Sequence, residues 1–407
     1  MLSQPKLNNL YIYLLYGLAF LIPSGVYNLE GVVIVLLLVV WLLTKQYKGI
    51  TKQSTMLPFL LPLFFLLYIV SLVYTSNIPK GINQLTMHVS YLFIPLIFIT
   101  NLIDKSIKRN MLLVFMYSTV LFLCIADVYA LMDILKTDSY IVRVGQGDYY
   151  KFLSFGLTRI FSDWHPTLVS LFLIMSLAII VKHFLETKKK YALFIILFII
   201  LNVFLIKSLI GILCLVLVIS LFLVMLIKKN SYKFFLVVFV VSLASVFYFF
   251  NPFKIDKIQQ LKKTKIEITD NEDRRNVLSI RLVKWSSALS LFKENPIIGV
   301  APGDLKQELV DEYTENSYEY AAANRFGPHN QFLQFLVAFG VIGLFLFFAV
   351  IFLPYCKHIE INSLYSWFLL IVLLFFLTED VLEGQQGIVF FSFFYSLLLI
   401  KTKSDEK

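Results

Sequence analysis

Long apolar runs, separated by short polar segments, follow one another along almost the whole chain. A helix that crosses a bilayer needs about 20 mostly apolar residues, because its backbone polar groups find no water inside the hydrocarbon. About twelve runs meet this requirement, near positions 8–22, 26–44, 56–74, 82–100, 110–135, 165–185, 191–207, 209–227, 232–250, 329–354, 363–379 and 385–401. The sequence therefore predicts an all-α integral membrane protein, folded as a single polytopic membrane domain over 1–407.

Composition excludes the common classes of soluble protein. The chain is 59% hydrophobic and 15% charged, whereas soluble domains are about 45–50% apolar and about 25% charged. The net charge of +10 comes largely from lysines at the ends of apolar runs, so we expect membrane lipids and no nucleic acid as partners. Cys124, Cys214 and Cys356 lie in or beside apolar runs, which indicates neither a disulfide framework nor a cysteine metal site.

Lysine and arginine are unevenly distributed between the two sets of alternate loops. The basic set comprises the loops at 45–55, 101–109, 186–190 and 228–233, together with the C-terminal tail. The positive-inside rule places that set in the cytoplasm. Both termini are then cytoplasmic, and the two longer loops, 136–164 and 251–328, are external.

This topology depends on whether a short polar pair breaks the helix between two apolar runs. Only Lys207-Ser208 divides the seventh run from the eighth; without a break there, the later loops would exchange sides. The first run, from Leu10 to Ile22, lacks a small-residue cleavage site and is followed by another run. We therefore expect it to be a retained helix rather than a signal peptide.

The loop at 251–328, between the ninth and tenth runs, is the only extended polar region of the sequence. Its part from Asn276 to Asn295 has a helical period, and Asn295-Pro296 is expected to end that helix. One apolar stripe is predicted, with Arg281 and Lys284 at its flanks. The members of the stripe are Leu278, Leu282, Trp285, Leu289 and Phe292.

A histidine stands where the polar loop gives way to the tenth run, in "NRFGPHNQFLQFLVAFGVIG". Pro328 suits the first position of a helix, so His329 is predicted in its first turn. Unpaired amides and the helix dipole would favour an anion there and keep a nearby imidazole neutral. Gly340 and Gly343 fall close to the same face and would let another helix approach. A plain interfacial cap is the alternative interpretation.

The stretch His329-Asn330, nine residues, then Gly340-Val341-Ile342-Gly343 resembles a motif of the bacterial O-antigen ligase family. The upstream segment "RLVKWSSALSLFKENPIIGVAPGD" is similar to that family's Arg-x-x-x-Trp helix and Gly-containing turn, and "DWHPT" resembles the opening of a middle span. The similarity is greatest over 200–345. Ala301 stands where the family has a second glycine, and Lys207 stands where it has an arginine.

The resemblance implies glycosyl transfer at the outer face of the bacterial inner (cytoplasmic) membrane. The donor would be an undecaprenyl-diphosphate-linked glycan. The acceptor would be the lipid A core in a ligase, another lipid-linked glycan in a polymerase, or a protein hydroxyl in a third group. No Asp-x-Asp pair occurs and the five histidines are scattered, so we expect no metal and no cofactor, as in the ligases.

Two other classes remain open from the sequence. A flippase or transporter of lipid-linked glycan would show inverted repeats and charges at mid-membrane, whereas the charges here lie at the interface and in one external loop. A membrane scaffold would leave the motif around His329 without explanation.

The candidate site residues are ionisable or polar groups at the predicted outer edge of the membrane, where such groups are costly. His329 is expected to take a proton from the acceptor, and Asn330 to orient a substrate. Four cations are candidates for binding the diphosphate: Arg281, Arg325, Lys207 and Arg159. Candidates for holding the acceptor or orienting another group are His165, Glu379, Asp380 and Trp285. Structural anchoring is the alternative for Arg159 and His165, and a solvated helix flank for Arg281.

Overall fold

The computed structural model describes residues 4–26, 29–48, 57–100, 103–144, 147–159, 164–227, 277–356 and 363–400. The predicted span at 232–250, the arginines Arg274 and Arg275, and the C-terminal tail beyond residue 400 lie outside the described residues.

Helices form most of the described chain. They are α1 (Gln4–Leu21), α2 (Leu29–Leu43), α3 (Leu60–Ser71), α4 (Ile78–Met87), α5 (Ser90–Ile99), α6 (Lys105–Thr137), α7 (Ser154–Thr158), α8 (Pro166–Thr187), α9 (Tyr191–Ile206), α10 (Leu209–Leu226), α11 (Val277–Glu294), α12 (Leu305–Glu315), α13 (Glu319–Ala323), α14 (Gln331–Cys356), α15 (Leu364–Phe376) and α16 (Gln385–Leu399). Short 3₁₀ turns cover Leu57–Phe59 and Val381–Glu383. Every predicted span within the described ranges overlaps one of these helices.

Among the described residues, four helical segments are long and apolar enough to cross a membrane: Ile78–Ile99, Lys105–Thr137, Pro166–Thr187 and Gln331–Cys356. Six shorter apolar helices accompany them. The chain is therefore a helical membrane protein, as predicted. The number of twelve spans and the sides on which the loops lie stay predictions.

The polar pair Lys207-Ser208, between the seventh and eighth runs, does interrupt the helix. Helix α9 ends at Ile206, and Lys207 follows in a left-handed conformation with φ of 54°. Ser208 then caps α10, because its side chain accepts a hydrogen bond from the Gly211 amide. The prediction of two separate helices here is confirmed.

Helices α8 and α16 form the centre of the bundle. Most residues of both are buried: 15 of the 22 in α8 and 12 of the 15 in α16. Aromatic rings join them to their neighbours: the Phe172 and Phe390 centroids lie 5.2 Å apart, and those of Phe115 and Phe394 lie 4.7 Å apart. This packing fixes the first residues of α8 and α16, which flank the loop that follows α15.

A β-hairpin in the predicted external loop 136–164 is an exception to the all-α prediction. Strand β1 (Ile141–Val144) pairs antiparallel with β2 (Gly147–Tyr150). Its signal in the sequence was the glycine-flanked "RVGQGD" between β-branched and aromatic residues, which is typical of a hairpin. Lys151 anchors it to α6 through an ion pair with Asp133.

Helix α11 confirms the predicted helix at 276–295, but the predicted apolar stripe is not its buried face. Val283 and Ala288 are fully buried, together with Ser279 and Ser287, whereas Leu289 is 42% exposed. Small side chains let helices approach closely. The serine and alanine face therefore packs inward against α14.

Helix α14 is not continuous, which corrects the prediction for the tenth span. Gly340 has φ of 64° and ψ of −161°, a conformation outside the helical region that essentially only glycine adopts. Gly340 therefore breaks the helix, and it does not share a smooth helical face with His329. The backbone groups freed by this break need new partners.

The loop at 296–301 supplies those partners. Val300 and Ala301 donate their amides to the carbonyls of Val337 and Ala338, at 2.9 and 3.1 Å, and the Val341 amide donates to the Pro296 carbonyl at 2.9 Å. The loop that follows α11 is thus fixed, backbone to backbone, into the break of α14. The close approach predicted for the glycines is made by this loop and not by another helix.

Candidate active site

His329 lies just before α14, not in its first turn as predicted. Its own φ is 47°, so the chain turns left-handed there, and α14 begins at Gln331. Asn330 caps the helix: its Oδ1 accepts from the amides of Phe332 and Leu333, at 3.0 and 3.1 Å. Two of the amides that we predicted to be available for an anion are therefore already hydrogen-bonded. Asn330 thus has a structural role as the cap of α14.

Glu379 lies at the centre of the site. Helix α15 ends at Phe376, so Glu379 and Asp380 belong to the loop beyond it. The Oε2 of Glu379 lies 3.1 Å from the Nδ1 of His329, and its Oε1 lies 3.8 Å from the Nη2 of Arg281. Asp380 adds an oxygen 3.7 Å from the same Nδ1. Three segments distant in sequence thus meet at one carboxylate.

The charge state of Glu379 follows from these contacts. Burial alone would raise the pKa of this carboxyl, but the hydrogen bond from His329 and the positive charges of His329, His165 and Arg281 outweigh it and hold the pKa at about 2. A carboxylate can only accept, so Nδ1 of His329 is the donor. In a neutral ring the other nitrogen, Nε2, then carries the lone pair that accepts a proton.

Trp285 links α11 to the residues before His329. Its Nε1 donates a hydrogen bond to the carbonyl of Pro328 at 3.1 Å. On the other side Gly327 lies against Asp380: a Cβ at this position would lie 2.7 Å from Oδ2. The turn that carries His329 is therefore held between α11 and the loop after α15.

Lys284 was considered in the sequence only as a flank of the apolar stripe, and it belongs to this site. It is 6% exposed, and its Nζ lies 3.8 Å from the centre of the Phe326 ring. Burial and the charge of Arg281 lower the pKa of Lys284 to about 8, although the negative charges of Asp380 and Glu379 act to raise it. Residues three positions apart lie on the same helix face. The spacing of Lys284 from Arg281 was therefore the sequence signal that could have placed Lys284 in the site.

His165 acts on the site at longer range. It caps α8, with Nδ1 accepting from the Thr167 amide at 3.4 Å. Its ring packs edge-on against Phe155, with centroids 5.3 Å apart. In its protonated form, in which Nδ1 no longer accepts, it is one of the groups that lower the pKa of Glu379, so it lies near the same cluster.

The structure does not bring the other predicted cations to His329. Arg325 is exposed and donates to Gln307 at 2.9 Å, Arg159 donates to the Arg143 carbonyl at 3.0 Å, and Lys207 lies at the junction of α9 and α10. Among the residues that the structure describes, no hydrogen bond or ion pair joins these three cations to the cluster around Glu379.

Three side chains of the site have the geometry to hold a metal ion. His329, Glu379 and Asp380 each offer a ligand atom, all within 4.8 Å of one another. Two cations, Arg281 and Lys284, act on the same carboxylates, and their charges oppose the binding of a further cation. The donor set permits a metal, while its surroundings disfavour one.

Residues 192–348 match the family described as O-antigen ligase. The resemblance found in the sequence is confirmed. The matched segment contains Arg281, Lys284, Trp285 and His329, and it ends before Glu379. No curated protein matches the chain.

Proposed function

Because residues 192–348 carry a domain of the O-antigen ligase family, we propose that the protein transfers a glycan from undecaprenyl diphosphate to an acceptor hydroxyl at the outer face of the bacterial inner membrane. One observation supports this most directly: His329 is held by the Glu379 carboxylate beside two cations, Arg281 and Lys284. This arrangement combines a proton acceptor with groups that bind phosphate.

In the proposed reaction, an acceptor hydroxyl attacks the anomeric carbon of the donor glycan. The new bond joins the acceptor oxygen to that carbon, and the bond between the carbon and the diphosphate oxygen breaks. The acceptor proton moves to Nε2 of His329, and the bonding electrons leave with undecaprenyl diphosphate. General base catalysis of this kind contributes about 10²–10⁴-fold in rate.

Arg281 and Lys284 would stabilise the charge that develops on the diphosphate. The 3.8 Å distance between Arg281 and Glu379 is longer than a hydrogen bond, so the guanidinium keeps donors for a second anion. Arginine binds two phosphate oxygens at once, whereas lysine acts as a point charge. Fixed cations in a water-poor site are an effective way to stabilise a leaving group.

Glu379 would orient His329 rather than touch the substrate. By accepting from Nδ1 it fixes the tautomer in which Nε2 is the base, and it stabilises the imidazolium formed during transfer. We propose that the reaction needs neither a metal nor a cofactor, because Arg281 and Lys284 provide the positive charge that a metal would supply.

The lipid A core is the first proposed acceptor, since the matched family is described as O-antigen ligase. A polymerase would use another lipid-linked glycan with the same residues. A deletion strain separates the two activities through its outer-membrane glycan profile. Loss of all polymer attachment identifies a ligase, and attachment of single repeat units identifies a polymerase.

The proposal is tested by transfer from purified undecaprenyl-diphosphate glycan, using reconstituted full-length variants with a chelator present. His329→Ala should insert normally, bind donor and fail to transfer it. His329→Gln keeps a hydrogen-bonding group without the basicity, so it should fail as well. Lys293→Gln, an exposed position on α11, is the control for expression and assay.

Wild-type rates from His329→Ala would refute the site. Activity in His329→Gln but not in His329→Ala would mean that the ring binds or orients instead of taking a proton. Loss of wild-type activity in the chelator would refute the metal-free reaction. Movement of the lipid-linked glycan across the bilayer without transfer would identify a flippase.

A further inference from the structure

Two adjoining cavities lie at the end of α8 opposite the candidate active site. Helix α8 has 22 residues and is about 33 Å long at 1.5 Å per residue. His165 begins it beside the cluster, while the cavities lie near its last turns, between Leu177 and Glu186. They are therefore distinct from the site around His329.

The larger cavity is apolar. It has a volume of about 300 Å³ among α8, α10 and α15, which is within the range of about 300–1,000 Å³ found for ligand pockets. Its walls include Ala178, Val181, Val218, Phe222 and Trp367. A cavity with such walls suits a hydrocarbon chain.

The smaller cavity, of about 170 Å³ between α6 and α8, is strongly basic. Lys105, Lys108, Arg109 and Lys182 line it against one carboxylate, Glu186. Lys108 donates to the carbonyl of Ile400 at 3.0 Å. Lys105, Arg109 and Lys182 make no ion pair with any described residue, so among the described residues no anion neutralises this part of the cavity.

His183 also lines the same basic cavity. His183 is 6% exposed, and its Nε2 lies 2.8 Å from the hydroxyl of Tyr191. Its Nδ1 is buried and has no hydrogen-bond partner among the described residues. Buried polar atoms in proteins are nearly always hydrogen-bonded, so within the described residues His183 adds one unsatisfied polar atom beside this cavity.

We propose that the two cavities together bind one anionic phospholipid from the surrounding membrane. Its phosphate lies among Lys105, Arg109 and Lys182, and one acyl chain occupies the apolar cavity. The cavities share Lys182, Glu186 and Leu364, so one molecule can reach both. A free phosphate would leave the apolar cavity unfilled, and a neutral lipid would leave the cations unpaired.

This assignment fits the general behaviour of membrane proteins. Basic pockets between transmembrane helices on the cytoplasmic side bind anionic head groups. The loops at 101–109 and 186–190, which border these cavities, belong to the basic set that the positive-inside rule places in the cytoplasm. The inference does not depend on the proposed glycosyl transfer.

Binding to the full-length protein in detergent is measured with three probes: short-chain phosphatidylglycerol, phosphatidylcholine with the same chains, and inorganic phosphate. Phosphatidylglycerol should bind best. The double variant Arg109→Gln/Lys182→Gln should weaken its binding by about tenfold or more, because each basic residue near an anionic lipid contributes measurably. The control Lys189→Gln/Lys190→Gln changes two exposed cations that do not line either cavity, and it should bind like the wild type.

Ala178→Phe tests the apolar part, since the new ring would fill the larger cavity. It should weaken phosphatidylglycerol binding and leave phosphate binding unchanged. Val218→Phe, on the opposite wall, gives the same test if the first variant does not fold. Equal binding of the two phospholipids would overturn the proposal. So would phosphate binding as tight as that of phosphatidylglycerol, with no effect of either phenylalanine.

Discussion

His329 and Glu379 lie 50 residues apart in the chain, and the Nδ1 of one is 3.1 Å from the Oε2 of the other. The contact joins the turn before α14 to the loop after α15. Arg281 reaches the second oxygen of the same carboxylate from α11. One side chain therefore fixes both the proposed base and the proposed phosphate ligand, and this makes Glu379 the most informative position to change.

Glu379→Gln should reduce kcat by about 10²–10⁴-fold, because the amide keeps the size of the side chain but loses the charge that orients and stabilises the imidazole. Single-turnover transfer from purified donor measures this. Glu319→Gln changes an exposed carboxylate of α13 and serves as the matched control. A kcat near that of the wild type in Glu379→Gln would show that His329 works without this partner.

The low pKa of Glu379 predicts how stability depends on pH. The folded pKa of about 2 lies below the ordinary value of 4.5, so the ionised carboxylate contributes stability above pH 4.5 and loses that contribution as pH falls toward 2. The free energy of unfolding of the wild type relative to Glu379→Gln should shrink as pH falls from 4.5 toward 2. Thermal unfolding in detergent across this range checks it; a difference that already vanishes near pH 6 would contradict it.

Periodic patterns predicted much of the fold because they depend on local chemistry. Apolar runs gave the helices, and the polar pair Lys207-Ser208 correctly marked the break between α9 and α10. The spaced motif around His329 and the Arg281-to-Trp285 helix pointed to residues that do meet in space. Glu379, which contacts both His329 and Arg281, was predicted only from its place at the end of a span.

Features that depend on distant backbone contacts could not be predicted in the same way. The break at Gly340 exists because the loop at 296–301 replaces its missing hydrogen bonds, and nothing in the local sequence specifies that partner. The buried face of α11 uses Ser279, Ser287 and Ala288, which a hydrophobic-period analysis ignores. Lys284 was missed for the same reason, since it lies on that inward face.

Lys284 predicts a limit on activity at alkaline pH. Its folded pKa of about 8 lies below the ordinary value of 10.5, so the free enzyme loses this positive charge as pH rises through 8. If the ammonium binds the donor diphosphate, kcat/KM, which reports on the free enzyme, should fall above about pH 8. Lys284→Arg should move that fall beyond pH 10, because arginine stays protonated. Lys293→Arg is the control on the same helix, and an unchanged alkaline limb in Lys284→Arg would remove Lys284 from donor binding.

The lysine distribution predicts the sides of the membrane. Reporter fusions after Lys265 and at the C-terminus should report opposite sides, the first external and the second cytoplasmic. A fusion after Asn316, an exposed residue at the end of α12, should agree with the first. If the fusions after Lys265 and at the C-terminus report the same side, the placement of His329 at the outer face is wrong, whatever the reaction.

The two glycines at the crossing of the 296–301 loop and α14 predict the effect of adding one methyl group. A Cβ on Gly299 would lie 2.3 Å from the Val337 carbonyl oxygen, and one on Gly340 would lie 2.3 Å from the Ile297 carbonyl, all backbone atoms that cannot turn aside. Both glycines also have positive φ, at 71° and 64°. Gly299→Ala and Gly340→Ala should each destabilise the protein by about 1–3 kcal/mol, and both should lower kcat because α11 and the turn of His329 lose their common anchor.

Gly17→Ala, a helical position with no neighbouring atom within 4 Å, should be neutral or stabilising by about 0.5–1 kcal/mol. Thermal unfolding and transfer rates of the three variants decide the matter: equal behaviour of Gly340→Ala and Gly17→Ala would mean that α14 is continuous in the membrane and that the loop does not enter it.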